Sequence, residues 1–101
     1  LIKYKGFQVA PAELEDVLLA HPGIADAAVI GVPDDEAGEL PAAFIVQAAG
    51  QSLTPEAVMA HAAERLANYK HIRRVTFLNA IPKSASGKIL RRELRDGLAK
   101  A

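Results

Sequence analysis

The chain has 101 residues, half of them hydrophobic, with 12 Lys plus Arg against 12 Asp plus Glu and no cysteine. That describes one globular domain with a modest core, and it excludes disulfides, thiolate metal sites and a cysteine nucleophile. The zero net charge hides a segregation: the ten acidic residues between Ala10 and Glu64 have no Lys or Arg among them, whereas ten basic residues follow from Arg65 onward beside only Glu93 and Asp96, a pattern that fits either an anion-binding face or a solvated basic surface.

Ile2 to Val9 has β character interrupted at Gly6. In an extended strand Lys3 and Lys5 share one face with Tyr4 opposite, and Gly6 marks a bulge or a close ligand approach, unless the segment is a strand pair joined by a glycine turn. Pro11 suits the first position of a helix. Glu13, Glu15 and Asp16 follow in its early turns, where the dipole favours negative charge, and Leu14, Val17 and Leu18 form its buried stripe. His21-Pro22-Gly23 stops that helix. Ile24 to Val32 and Ala42 to Gln47 read as strands, with an acidic, exposed connection between them. Thr54 caps a second helix that opens on Pro55, with Val58, Ala62 and Leu66 on its core side. Arg74 to Leu78 is a short strand and Ile81 to Lys88 a loop. Ile89 to Ala99 is a last helix, with Leu90, Leu94 and Leu98 on one side and Arg91, Arg92 and Arg95 on the other. The expected fold is α+β: a roughly three-stranded sheet backed by helices, an N-terminal two-stranded β segment and a C-terminal helix.

The segment richest in chemistry is Pro82-Lys83-Ser84-Ala85-Ser86-Gly87-Lys88. Gly87 permits positive φ or close ligand approach, Ser86 can cap the following helix, and the helix start beside Lys88 favours an anion. A phosphate-binding P-loop does not fit, because the pattern needs glycine and Ser or Thr where Pro82 and Ile89 stand. A solvated loop before a capped helix is the plain alternative. His21, His61 and His71 do not have the spacing of a metal set, and no metal site is expected. Aromatic residues are few and no RNA-binding signature appears, so no nucleic-acid partner is expected. No apolar run approaches the ~20 residues of a membrane span. The chain starts with Leu1, so it is expected to begin inside a longer one. No signal peptide is visible, and the expected location is cytoplasmic.

Leu1-Ile2-Lys3-Tyr4-Lys5-Gly6-Phe7-Gln8-Val9-Ala10-Pro11-Ala12-Glu13-Leu14-Glu15, then His21-Pro22, Ala27 to Val32, Gly38-Glu39-Leu40-Pro41 and finally Pro82 to Arg92 together resemble the C-terminal domain of the adenylate-forming superfamily. The front segment and the terminal lysine motif are similar to those of 4-coumarate–CoA ligases, and the front segment also to that of luciferases. The resemblance implies an AMP-forming acyl- or aryl-CoA ligase, with residues 1–101 as its mobile C-terminal lid. Its partners would be the large N-terminal domain of the same enzyme, ATP and the acyl-adenylate, CoA, and a carboxylic acid, with Mg2+ bound through the large domain and ATP. It implies that Lys88 is the catalytic lysine of adenylation and that Gly87 shapes its loop. It assigns Lys3, Gly6, Phe7 and Gln8 to the thioester-forming face or to the nucleotide. The isolated domain is expected to be inactive. Two other readings are a luciferase-like adenylating oxygenase and a free-standing anion-binding domain.

Overall fold

The computed structural model describes the backbone of residues 1–100 and side chains through Gly97. Leu98, expected on the apolar side of the last helix, lies outside the described side chains.

Ile2–Tyr4 (β1) and Phe7–Val9 (β2) form a hairpin in the register Ile2↔Val9, Lys3↔Gln8, Tyr4↔Phe7. Both turn residues have positive φ, 49° at Lys5 and 84° at Gly6. A two-residue turn of this kind matches the twist of paired strands, so Gly6 is a turn residue and not a bulge. The turn also removes Lys5 from the strand, so Lys5 does not share a strand face with Lys3; its ammonium lies 5.5 Å from the centre of the Tyr4 ring.

The first helix, α1 (Pro11–Leu19), opens on Pro11 and buries Leu14, Leu18 and, unexpectedly, Glu15. His21 then turns the chain, its Nδ1 accepting the Gly23 N–H at 2.9 Å. Next comes a long hairpin of β3 (Ile24–Asp34) and β4 (Gly38–Gln47). The sequence suggests an exposed connection over residues 33–41, but the strands run through most of it and only residues 35–37 form the turn. Asp34 closes that turn by accepting the N–H groups of Glu36 and Ala37 on Oδ2, at 3.2 and 2.9 Å, a common local use of aspartate. Pro33 can stand in β3 because β3 is an edge strand.

Thr54 caps α2 (Pro55–Ala63) as expected, its Oγ1 accepting the Ala57 N–H at 3.1 Å. Val58 and Ala62 are buried, while Leu66 packs on the core from beyond the end of the helix. A short 3-10 turn at Asn68–Lys70 leads to β5 (Arg74–Phe77), and α3 (Arg91–Lys100) ends the described chain.

One five-stranded sheet results, in the order β2-β1-β4-β3, with β5 also on β4. It is antiparallel except for β5, which runs parallel to β4 along Ala42–Ile45, and Tyr4↔Gly38 ties the N-terminal hairpin into it. Ala27, Val29, Ala43 and Ile45 pack with α1 and α2 on one face. Ala28, Ile30, Ala42 and Phe44 pack with Ile81 and Leu94 on the other. Burial on both faces explains why β3 and β4 are almost continuously apolar. The α+β expectation holds, with the last helix covering the face opposite α1 and α2.

Candidate functional site

The motif residues fall into two groups. In the N-terminal hairpin, Ile2, Tyr4 and Val9 point into the core and period-two alternation puts Lys3 and Gln8 together on the exposed side. The structure therefore brings Lys3 and Gln8 together, directly opposite each other. Phe7 is on the other side, half exposed, with its ring stacked on Tyr69 at 4.3 Å between centroids. The Glu39 carboxylate fixes the hairpin by accepting the Lys3 N–H at 2.9 Å. Nothing lies within 4 Å of where a Gly6 Cβ would stand, so within this domain only its backbone angle, and not crowding, demands glycine there. Beside the stack, Glu13 accepts two hydrogen bonds from the Lys70 ammonium at 2.8 and 3.0 Å. That contact raises the Lys70 pKa above its ordinary 10.5, against an opposing loss of hydration.

The second group is a small closed hairpin. The Ser84 N–H donates to the Lys88 carbonyl at 2.8 Å and the Gly87 N–H to the Ser84 carbonyl at 2.9 Å. Ser84 Oγ accepts the Lys88 N–H at 3.2 Å and shares a hydrogen bond with Ser86 Oγ at 2.9 Å. Gly87 has φ of 85°, which suits a glycine closing such a turn. Ser86 is thus engaged inside the loop and does not cap a helix. Helix α3 starts only at Arg91, because the Leu90 N–H is used by the Pro82 carbonyl and Ile89 pairs with Lys83. Lys88 is therefore not beside helix N–H groups, and its charge has to act through its own side chain. The two loop lysines differ. Lys83 is tied to Asp26 at 2.7 Å, whereas Lys88 is exposed and makes no ion pair among the described residues. Lys88 is thus free to meet an external anion.

The two groups are far apart. The Lys83–Asp26 pair anchors the loop near the start of β3, while the N-terminal hairpin joins the sheet at Gly38, which pairs with Asp34 at the end of β3. Asp26 and Asp34 are eight residues apart on that strand, roughly 26 Å at ~3.3 Å per residue. The loop packs into the layer of Ile81 and Ile89, whereas the apolar side of the hairpin packs into the α1–α2 layer and leaves Lys3 and Gln8 pointing away from that layer. Among the described residues, no cluster of three or more His, Asp or Glu could hold a metal ion, and no helix is long and apolar enough to cross a membrane.

The family model described as AMP-binding enzyme C-terminal domain matches residues 13–88. The chain belongs to that family. Among relatives of this AMP-binding C-terminal domain, 4-coumarate–CoA ligase-like 5 of Oryza sativa subsp. japonica is 66% identical over 93% of this chain and 17% of the relative. The same plant's 4-coumarate–CoA ligase 2 is 59% identical over 98% of this chain and 17% of the relative. A solved acyl-CoA synthetase of Brucella canis superposes with a TM-score of 0.92 at 35% identity, covering 99% of this chain and 19% of that one. The chain thus spans about a sixth of the length of the curated relatives it matches.

The motifs did not reveal how this domain holds its lysine loop. Glu15, a buried carboxylate of α1, accepts the Arg91 Nη2–H at 2.7 Å and the Val29 N–H at 2.9 Å on the same oxygen, Oε2. Arg91 Nε also donates to the Val29 carbonyl at 3.2 Å. Arg91 is therefore not part of the solvated basic face with Arg92 and Arg95, and Glu15 is not a solvent-facing partner of the helix dipole. The one available signal was that Glu15 follows Leu14 directly, at the border of the apolar stripe.

Proposed function

We propose that the chain is the C-terminal lid of an AMP-forming acyl- or aryl-CoA ligase, serving two half-reactions from two different ends. In the first, a carboxylate oxygen attacks the α-phosphorus of ATP and pyrophosphate leaves, giving an acyl-adenylate. In the second, the CoA thiol attacks the acyl carbon, loses its proton and expels AMP. The observation that carries this reading is the separation of Lys88 from Lys3 and Gln8. Lys88 and the Lys3–Gln8 pair are fastened near opposite ends of β3, at anchor points roughly 26 Å apart along an extended strand, which supports a lid that turns between steps to bring each to the reacting centre. Loops and lids that close over a substrate are a common way to complete a catalytic arrangement.

In adenylation two anions must meet, and the Lys88 ammonium, which has no ion pair among the described residues, offsets their repulsion and stabilises the charge that grows at phosphorus. A flexible lysine stem suits delivery from a moving domain. In thioester formation, Lys3 and Gln8 offer a cation and an amide side by side to the nucleotide or to CoA, and Gly6 leaves the turn bare for the pantetheine arm. Mg2+, carried by ATP and the large domain, supplies charge neutralisation to the phosphates. The CoA-ligase names of relatives 59% and 66% identical support a ligase over a luciferase-like oxygenase or a free-standing anion-binding domain, and an acid of the 4-coumarate type as substrate.

The test uses the full-length enzyme. Lys88→Ala should lower acid-dependent pyrophosphate exchange by ~10²–10³, the usual cost of losing a key electrostatic donor. Thioester formation from supplied acyl-adenylate should stay within about twofold of wild type. Equal losses in both assays would end this division of labour.

A further inference from the structure

Glu15 is buried, ionisable and unused by the chemistry above, and it connects parts of the chain that the sequence keeps 76 residues apart. Its Oε2 holds both Arg91 and the Val29 N–H, and Arg91 Nε holds the Val29 carbonyl. Val29 lies in β3, which no other strand covers on its outer side. The Glu15–Arg91 pair thus occupies both hydrogen-bonding groups of one edge residue while joining α1 to the first residue of α3.

The Lys88 hairpin has two stems, and each is fastened to β3. One stem is held by Lys83 on Asp26 at 2.7 Å. The other leaves Lys88 through Ile89 and Leu90 and reaches Arg91, which is held on Val29 and Glu15. Asp26 and Val29 are three residues apart on the same strand. Because Lys88 itself makes no ion pair among the described residues, its position follows from where these stems are held. From this geometry we infer that Glu15 is a positioning residue for adenylation: acting through Arg91, it fixes the hairpin that carries Lys88. The inference rests on the adenylation role proposed above for Lys88.

Glu15→Gln keeps an acceptor for Val29 but removes the charge that grips the guanidinium. A displacement near 1 Å at a reacting group can cost about 10²-fold, so pyrophosphate exchange should fall roughly tenfold or more. Thioester formation from supplied acyl-adenylate should be unchanged, because the N-terminal hairpin is held independently by Glu39 and by pairing with β4. A general structural weakness would lower both half-reactions together.

The deciding experiment is a double-mutant cycle in the full-length enzyme, with pyrophosphate exchange and thioester formation as readouts. Glu15→Gln should slow exchange in the wild-type background and add nothing in the Lys88→Ala background, since a residue acting through Lys88 has nothing left to position. The full loss persisting in the Lys88→Ala background, or exchange at the wild-type rate in Glu15→Gln alone, would overturn the inference. Exchange unaffected by Lys88→Ala would instead sink the underlying reading, and the positioning role with it. If Glu15→Gln does not fold, Arg91→Lys is carried through the same cycle. It keeps the charge and loses the two-pronged grip, and the same outcomes decide.

Discussion

Lys3 and Gln8 face each other across the two strands of the N-terminal hairpin, and the only residues between their strands are those of a turn with positive φ at both Lys5 and Gly6. The turn therefore sets how the two polar side chains are presented. Any L-residue at position 6 must take φ near 84°, which costs on the order of 1–3 kcal/mol. Gly6→Ala and Gly6→Leu carry the same backbone strain and should lower stability by similar amounts in urea denaturation. They differ in bulk. Gly6→Leu should slow thioester formation well beyond Gly6→Ala while leaving pyrophosphate exchange alike in the two. Equal CoA turnover in both folded variants would remove Gly6 from the path of the pantetheine arm.

Lys83 and Lys88 lie five positions apart in one loop, but only Lys83 has a carboxylate partner among the described residues, Asp26 at 2.7 Å. Both members of that pair are partly exposed, so Lys83→Ala or Asp26→Asn should each cost below about 1 kcal/mol in stability. Loosening one stem of the hairpin should slow adenylation modestly, far less than the ~10²–10³ expected for Lys88→Ala. A loss in Lys83→Ala equal to that in Lys88→Ala would shift the catalytic charge to Lys83.

The order of elements was legible because its signals are local. Pro11, the Thr54-Pro55 start and the apolar runs of β3 and β4 each determine their own element through backbone geometry or burial. The extent of the β3–β4 hairpin was less legible, since Pro33 and a run of acidic residues resemble a loop until β3 is known to be an edge strand. The long-range polar contacts were not legible at all. Nothing near Glu15 indicates that Arg91 will reach it across a sheet edge, and nothing near Asp26 announces Lys83. Such pairs depend on tertiary placement, so helical spacing alone grouped Arg91 with Arg92 and Arg95 on the polar side of the last helix. The candidate lysines themselves were visible from their motifs, but their separation to opposite ends of the domain needed the fold.

Phe7 is half exposed, yet its ring stacks on Tyr69 with only 20° between planes. Stacked aromatic pairs contribute about 0.5–1.5 kcal/mol beyond burial. A double-mutant cycle of Phe7→Ala and Tyr69→Ala, read by urea denaturation, should give a coupling energy in that range. A coupling within the ~0.3–0.5 kcal/mol scatter of independent sites would mean that the rings are neighbours without a stabilising contact. Because the stack is on the side of the hairpin away from Lys3 and Gln8, Phe7→Ala should weaken the hairpin without removing either polar group.

Lys70 offers a test at alkaline pH. Its two hydrogen bonds to Glu13 raise its pKa above 10.5, with the charge of Glu13 and the nearby Tyr69 adding to the effect and lost hydration opposing it. A folded-state pKa above the unfolded value means that the fold favours the charged ammonium. The stability gained is fully present below the unfolded value of about 10.5 and fades as pH rises through the higher folded value. Glu13→Gln removes the carboxylate and with it most of the shift. In urea denaturation of this chain, wild type should be the more stable of the two near about pH 8, by the small margin typical of a partly exposed pair. The two stability profiles should draw together as pH rises through the raised folded-state value of Lys70, where the ammonium is lost from the wild type as well. Profiles that remain parallel from about pH 8 to about pH 12 would show that the Glu13–Lys70 contact contributes nothing through the charge of Lys70.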